Sequence, residues 1–215
     1  MRLDYYLVEI GNLGSRGRAK RAIIEGYVKV NDRVITKPSH DVAYSDKVEI
    51  TEDMDKPAGY WKLKEIQEKT NIIKKGDIVL DIGSSAGGFL LFSSEIASQV
   101  HGIEFSREFR RELKKLAHEH PNITVEFRDV YTMPNDCEKF DVLLMDITAS
   151  PLSSIKALDN LLTALKSGGM LLHVLKLPKE MDREPILRRL SSLGLEIIDI
   201  LEPLKKEAYI IARKL

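Results

Sequence analysis

The stretch Asp81-Ile82-Gly83-Ser84-Ser85-Ala86-Gly87-Gly88-Phe89 constrains this chain more than any other. Ile78-Val79-Leu80 enters it with the length and branching of a buried strand, and Phe89-Leu90-Leu91-Phe92 leaves it as the start of an apolar helix. The glycines between them permit a tight turn and a close approach of backbone to a ligand. Strand, glycine-rich turn and helix read as the first unit of a nucleotide-type site in a parallel sheet. An acid, Glu104, closes the next apolar stretch 23 positions after Asp81, near the ~20 expected of a carboxylate that holds ribose hydroxyls. The turn lacks the Gly-Lys-Ser/Thr pattern, which argues against a nucleoside triphosphate.

Alternating units follow. Ser106 is expected to cap a helix in which Phe109, Leu113 and Leu116 share a face. Residues 123–127 form a strand ending near Asp129, and residues 140–145 another ending at Asp146. The spacing predicts a helix over 152–165 stopped by Gly168-Gly169, a strand over 170–175 ending at Lys176, and a helix over 185–193 stopped by Gly194. Residues 195–201 and 208–212 close the chain as a strand pair. The fold class is therefore α/β, a Rossmann-like sheet that is mostly parallel with its last strand antiparallel.

The first fifty residues form a separate α+β unit. Leu3, Tyr6, Leu7 and Ile10 recur at helical spacing before Gly11. Ser15 is expected to cap a second helix over 16–25, ended by Gly26. Residues 27–35 read as a hairpin turning at Asn31-Asp32, and residues 42–50 as a further strand. From Ser15 to Lys37 seven bases face two acids, a local charge of +5 in a chain whose formal net charge is zero. Bases clustered on one helix attract phosphates in a sequence-independent, salt-sensitive way. Residues 51–59 hold Pro and Gly without periodicity and read as a linker, so that the domains are 1–50 and 60–215.

One cysteine, Cys137, excludes an internal disulfide framework and fits a reducing compartment. No secretory signal follows Met1-Arg2-Leu3-Asp4, and no stretch reaches the ~20 apolar residues that span a bilayer. A cytoplasmic location without membrane partners is expected. No metal is expected, since His118 and His120 lie two apart and Cys137 has no thiol partner.

Arg2-Leu3-Asp4, Ser15-Arg16, Ala19, Ile23-Gly26-Tyr27-Val28-Val30-Asn31 and Lys37-Pro38 together resemble the S4-type RNA-binding domain. The resemblance implies RNA contacts by Arg16, Arg18, Lys20, Arg21 and Lys29. Such domains read RNA shape. The order Asp81, then glycines, is similar to the cofactor loop of S-adenosylmethionine-dependent methyltransferases. That likeness implies a cofactor site on Asp81, Gly83, Ser84, Ser85, Gly87, Gly88 and Phe89, with Glu104 on the ribose and Asp129 near the adenine.

Residues 60–66, 140–146, 174–176 and 207–212 resemble, in order, motifs of the FtsJ-like RNA ribose 2′-O-methyltransferases. In that family the catalytic tetrad is Lys-Asp-Lys-Glu, which the match puts on Lys62, Asp146, Lys176 and Glu207. An S4-type domain followed by such a domain resembles the TlyA family of ribosomal RNA 2′-O-methyltransferases, sometimes labelled hemolysins. The resemblance implies ribosomal RNA, or a ribosomal subunit, as partner and substrate. Lys176 would be the base or the hydroxyl-orienting group, Asp146 would position it, and Lys62 and Glu207 would complete the charge network. A sulfonium and Lys62 would lower the pKa of Lys176, while Asp146 and Glu207 would raise it. A non-catalytic RNA-binding or ribosome-assembly factor is the competing reading. Asp81, Glu104 and all four tetrad positions argue against it. A membrane-active hemolysin is disfavoured by the lack of a spanning segment or a clear basic amphipathic helix.

Overall fold

The computed structural model describes residues 1–10, 13, 15–24, 26–50, 56–132, 138–176, 182–202 and 207–215. Gly11, Glu25, residues 51–55 of the expected linker, and Cys137 lie outside them. The chain divides into two compact units, Met1–Lys56 and Pro57–Leu215.

In the first unit, α1 (Leu3–Glu9) and α2 (Arg16–Ile24) cover a sheet of β1 (Val28–Val30), β2 (Arg33–Val34) and β3 (Val48–Ile50), in the order β2-β1-β3. The apolar positions of the helices, Leu3, Leu7, Ala19 and Ile23, are buried with Val28 and Val42. Ile10, expected on the same face, is exposed where α1 ends. Ser15 Oγ accepts from the Arg18 N–H at 3.3 Å, the contact of a helix N-cap. Asn31 and Asp32 both have positive φ, 49° and 65°, as a tight hairpin turn requires. The expected strand over 42–50 is shorter, only Val48–Ile50. Asp46 accepts the Ala43 N–H at 2.8 Å and turns the chain, while the Val42 N–H donates to Met1 O.

The second unit is a seven-stranded sheet between two helical layers. In chain order its elements are α3 (Ala58–Thr70), β4 (Ile78–Ile82), α4 (Gly88–Ser94), β5 (Gln99–Glu104), α5 (Arg110–Glu119), β6 (Ile123–Phe127), β7 (Phe140–Met145), α6 (Pro151–Leu161), β8 (Leu165–Lys176), α7 (Glu184–Ser192), β9 (Leu195–Leu201) and β10 (Glu207–Lys214). The strand order is β6-β5-β4-β7-β8-β10-β9. Strands β4 to β8 run parallel, and β10 lies antiparallel between β8 and β9. Leu171 and Leu175 of β8 join the core with α6 and α7, whereas Leu172 and Val174 join the core with α3, α4 and α5. The period-two alternation thus fills both faces.

Several boundaries differ from the sequence reading. Helix α3 begins at Ala58, two residues before Tyr60. Helix α5 begins at Arg110 and not after Ser106; Ser106 Oγ instead accepts from the Glu108 N–H in a preceding turn. The helix expected to run to 165 ends at Leu161, and a 3-10 turn delivers Leu165 directly into β8. Gly168-Gly169 lies inside that strand and not at a helix stop. Leu165 pairs with Phe140 and Met170 with Val142, so β8 bulges between them, with φ +76° at Gly168. Lys166, in the bulge, reaches Asp141 at 2.7 Å.

Among the described residues no helix is long and apolar enough to cross a membrane.

Candidate active site

The strand order reverses at β4. The chain steps outward from β4 to β5 and β6, then returns to place β7 on the other side of β4. Carboxyl ends that flank such a reversal open a crevice for ligands. Here Gly83 follows β4 with φ +83°, and a Cβ added to it would stand 2.8 Å from the carbonyl oxygen of Asp146. Only glycine lets the two strand ends approach this closely.

A cleft of about 490 Å³ occupies this edge. Of the residues singled out from the sequence, Gly83, Ser85, Glu104, Asp129 and Asp146 line it. Glu104 is buried and organises the loops around it: its carboxylate accepts the Ser85 N–H at 2.7 Å and the Ser106 N–H at 2.6 Å. Ser85 takes a φ of 48° at this contact. Asp129 Oδ1 accepts the Tyr131 N–H at 2.9 Å.

Asp81 lies behind the turn, 1% exposed, and neither of its carboxylate oxygens has a hydrogen-bond partner among the described residues. Burial pushes its carboxyl up to about 7; the neighbouring Ser84 hydroxyl offsets part of that rise, and the charges of Asp146 and Glu104 add to it. An orphaned buried carboxylate is costly, and a cationic ligand group would satisfy it. Ser84 is also buried, its Oγ donating to Asp81 O at 3.3 Å.

The remaining loop residues are taken up by packing. A Cβ on Gly88 would meet Tyr60 N at 2.5 Å, and one on Gly87 would meet Leu116 Cδ2 at 2.7 Å. Phe89 belongs to the core beneath α3 and α4. The cleft also presents Phe105, Phe109, Arg128, Tyr131 and Ile147, which sequence reasoning did not assign to a ligand. Phe105 directly follows β5, and Tyr131 lies in a 3-10 turn four residues after β6. That position was the available signal, but an aromatic after a strand reads equally as surface.

Lys62, Asp146, Lys176 and Glu207 meet at the same edge of the sheet. Lys62 Nζ lies 2.7 Å from Asp146 Oδ2 and 3.0 Å from Glu207 Oε2. Lys176 Nζ lies 3.0 Å from Asp146 Oδ1 and 2.8 Å from Glu207 Oε1. Two lysines and two carboxylates therefore form a closed, alternating ring. Each member has a different origin. Lys62 projects from α3, Asp146 follows β7, Lys176 ends β8, and Glu207 begins β10 directly opposite Lys176 in the antiparallel register. The Asp146 N–H donates to Ile82 O at 3.1 Å, which extends the β4–β7 pairing to this residue.

The charges settle one another. Burial lowers the pKa of Lys176, but the hydrogen bond to Glu207 and the charge of Asp146 outweigh it, so the value is raised. Burial raises Glu207, but Lys176 and Lys62 overcome this and hold its carboxyl at about 2. Of the two influences anticipated for Lys176, the carboxylates prevail in this state, and the ammonium is protonated. Tyr209, whose ring centroid is 5.1 Å from Lys62 Nζ, is raised by burial and by Glu207.

In the first unit Arg16, Arg18, Lys20 and Arg21 are exposed along α2 and Lys29 is half-buried on β1. Arg16 is also engaged within the unit. Its Nη2 lies 3.2 Å from Asp4 Oδ2 and its guanidinium 3.9 Å from the centroid of the Tyr5 ring.

A Rossmann-like sheet with this strand order, an acid-then-glycine turn and a carboxylate after the second strand defines the class of the small-molecule-dependent methyltransferases. Residues 58–190 match the FtsJ-like methyltransferase family, and residues 1–48 match the S4 domain. The chain belongs to the FtsJ-like methyltransferase family. It is 35% identical over 91 residues to Hemolysin A of Brachyspira hyodysenteriae, covering 41% of this chain and 38% of that one. It is 31% identical over 115 residues to the ribosomal RNA large subunit methyltransferase E of Syntrophobacter fumaroxidans, covering 49% of this chain and 54% of that one. The chain thus spans about half or less of the length of these relatives. Among solved structures, Aeropyrum pernix fibrillarin with bound S-adenosyl-L-methionine superposes with a TM-score of 0.60 at 22% identity, covering 72% of this chain and 75% of that one. That likeness is one of fold.

Proposed function

We propose that this chain is an S-adenosylmethionine-dependent RNA methyltransferase that acts on a ribose 2′-hydroxyl of ribosomal RNA in the cytoplasm. The observation that carries the reading is the closed Lys62–Asp146–Lys176–Glu207 ring, which abuts the ligand cleft through Asp146.

The residues present fit the cofactor. The orphaned Asp81 carboxylate would receive its amino group, and Glu104, with acceptor capacity left after two backbone N–H groups, would hold its ribose. The turn at Gly83 and Ser85 would lie against it, and Asp129 would stand near the adenine. When bound, S-adenosylmethionine supplies an electrophilic methyl group on a positively charged sulfur.

The chain's own task is to bring one hydroxyl into line and to manage its proton. Lys176 enters that task protonated, so its Nζ donates to the 2′-oxygen and orients a lone pair. A second cation beside Lys176 would lower its pKa, so that the ammonium releases a proton to solvent and the neutral amine can take the hydroxyl proton as the oxygen–carbon bond forms and the methyl–sulfur bond breaks. Asp146 and Glu207 hold both lysines in place. The S4-type unit supplies affinity for RNA through its basic helix.

Purified protein incubated with methyl-labelled cofactor and ribosomal RNA tests the reading. Nuclease digestion and mass spectrometry should find the label on a ribose 2′-oxygen. Label on a base would overturn the ribose assignment. RNA and cofactor binding without transfer to free RNA or to ribosomal subunits would favour the non-catalytic factor.

A further inference from the structure

We propose that Asp4 is a positioning residue for RNA binding: its buried carboxylate holds the Arg2 and Arg16 guanidiniums as a two-armed clamp for a phosphodiester of structured RNA. The proposal rests on the RNA-binding reading above and assigns to it a device that joins Arg16 of the basic helix α2 to Arg2, which precedes α1.

Asp4 is 0% exposed, yet both arginines bound to it are open to solvent, with side chains 45% and 43% exposed. Arg2 grips the carboxylate with two prongs, Nε to Oδ1 at 2.9 Å and Nη2 to Oδ2 at 3.1 Å. Arg16 shares Oδ2 at 3.2 Å. Arg2 caps α1 and Arg16 opens α2, so one carboxylate ties the starts of two helices.

A purely structural tie needs no such exposure. Of the five N–H donors on each guanidinium, Asp4 takes two from Arg2 and one from Arg16. Among the described residues the rest have no other hydrogen-bond partner and remain for a ligand. Two arginines on one carboxylate leave a net positive charge, which suits a phosphodiester with its single negative charge and two free oxygens. Arg16 is further held against the face of the exposed Tyr5 ring. Side chains already fixed in this way surrender little rotamer freedom when the ligand arrives.

The proposal opposes simple electrostatics, which makes it testable. Asp4→Asn removes a negative charge and should tighten RNA binding if only long-range attraction matters. If the carboxylate positions the arginines, the same variant should bind more weakly. Arg2→Lys keeps the charge and loses the planar fork. The measurement is fluorescence anisotropy of the full chain against labelled fragments of large-subunit ribosomal RNA, with thermal unfolding of each variant alongside. Each variant is expected to weaken binding about tenfold, the scale of one charge-assisted hydrogen bond. Should Asp4→Asn unfold the unit, Arg2→Lys decides alone. Wild-type affinity in Arg2→Lys, or equal or tighter binding by folded Asp4→Asn, would overturn the clamp and leave the RNA reading standing. Absence of salt-sensitive RNA binding by the wild type would end both.

Discussion

Lys176 and Asp81 carry the clearest single-residue expectations. Lys176→Ala should lower the methyl-transfer rate by about 10²–10⁴-fold, the usual range for a positioned proton-handling group. Cofactor and RNA dissociation constants should change little, because the loss falls on the rate and not on uniform binding. Robust transfer by the variant in a single-turnover assay would remove Lys176 from the chemistry. Asp81 is an acid raised to about 7 in the cofactor-free fold. Its unfolded value lies near ~3.9, so the folded state binds the proton more tightly. Stability therefore falls as pH rises from the unfolded value through the folded one, and the penalty is complete above it. Asp81→Asn abolishes the titration. The variant should be more stable than wild type at about pH 8 by about 4 kcal/mol, and near parity at about pH 4. It should also bind cofactor at least about tenfold more weakly, for want of a charged partner. Urea unfolding at the two pH values and calorimetry with the cofactor check both arms; a pH-independent difference in stability would contradict the account.

Elements decide whether these residues meet. Lys62 reaches the ring only because α3 lies close on α4, and the closeness depends on Gly88. A methyl group there would meet backbone atoms, Tyr60 N at 2.5 Å and Gly59 Cα at 2.7 Å, which cannot swing away as a side chain would. Gly88→Ala should destabilise the second unit by about 1–3 kcal/mol, the range for overpacking. It should also displace α3 and lower methyl transfer, with RNA affinity of the first unit unchanged. Thermal unfolding and a methyl-transfer assay on the same preparation test this; an unshifted melting temperature would show that α3 tolerates the displacement. Strand β10 acts in the same way on the other side. Inserted between β8 and β9, it sets Glu207 opposite Lys176. A parallel strand in that place would have entered the sheet from its amino edge and carried Glu207 to the far end.

On the proposed reading the whole molecule divides its labour between two units. If the first supplies affinity through phosphate contacts, Arg18→Ala, Lys20→Ala and Arg21→Ala combined should flatten the dependence of log affinity on log salt by about 2–3, with about 0.7–0.9 for each lost contact. Cofactor affinity, which the proposed reading puts on the second unit, should be unaltered. Filter binding over a range of salt concentrations reads the slope, and an unchanged slope would assign those cations to solvent.

Much of this was legible in one dimension. Hydrophobic alternation and glycine placement located six strands of the seven-stranded sheet to within two residues and missed the first five of β8, and the family followed from motifs in order. These are local signals, since side-chain period and turn chemistry act over a few residues. Errors fell where a distant contact overrode the local pattern. Leu165 left its helix register to pair with Phe140, Gly168-Gly169 became a bulge, and the Val42 N–H was drawn to Met1 O ahead of β3. The residue types of the ring could likewise be named from their motifs. Their mutual approach could not, because Lys62 and Glu207 are separated by most of the second unit and meet only when the strand order closes. Tertiary structure alone also decided the electrostatics. The raised Lys176 and the orphaned Asp81 depend on burial and on charges brought from other strands, and no linear spacing encodes either.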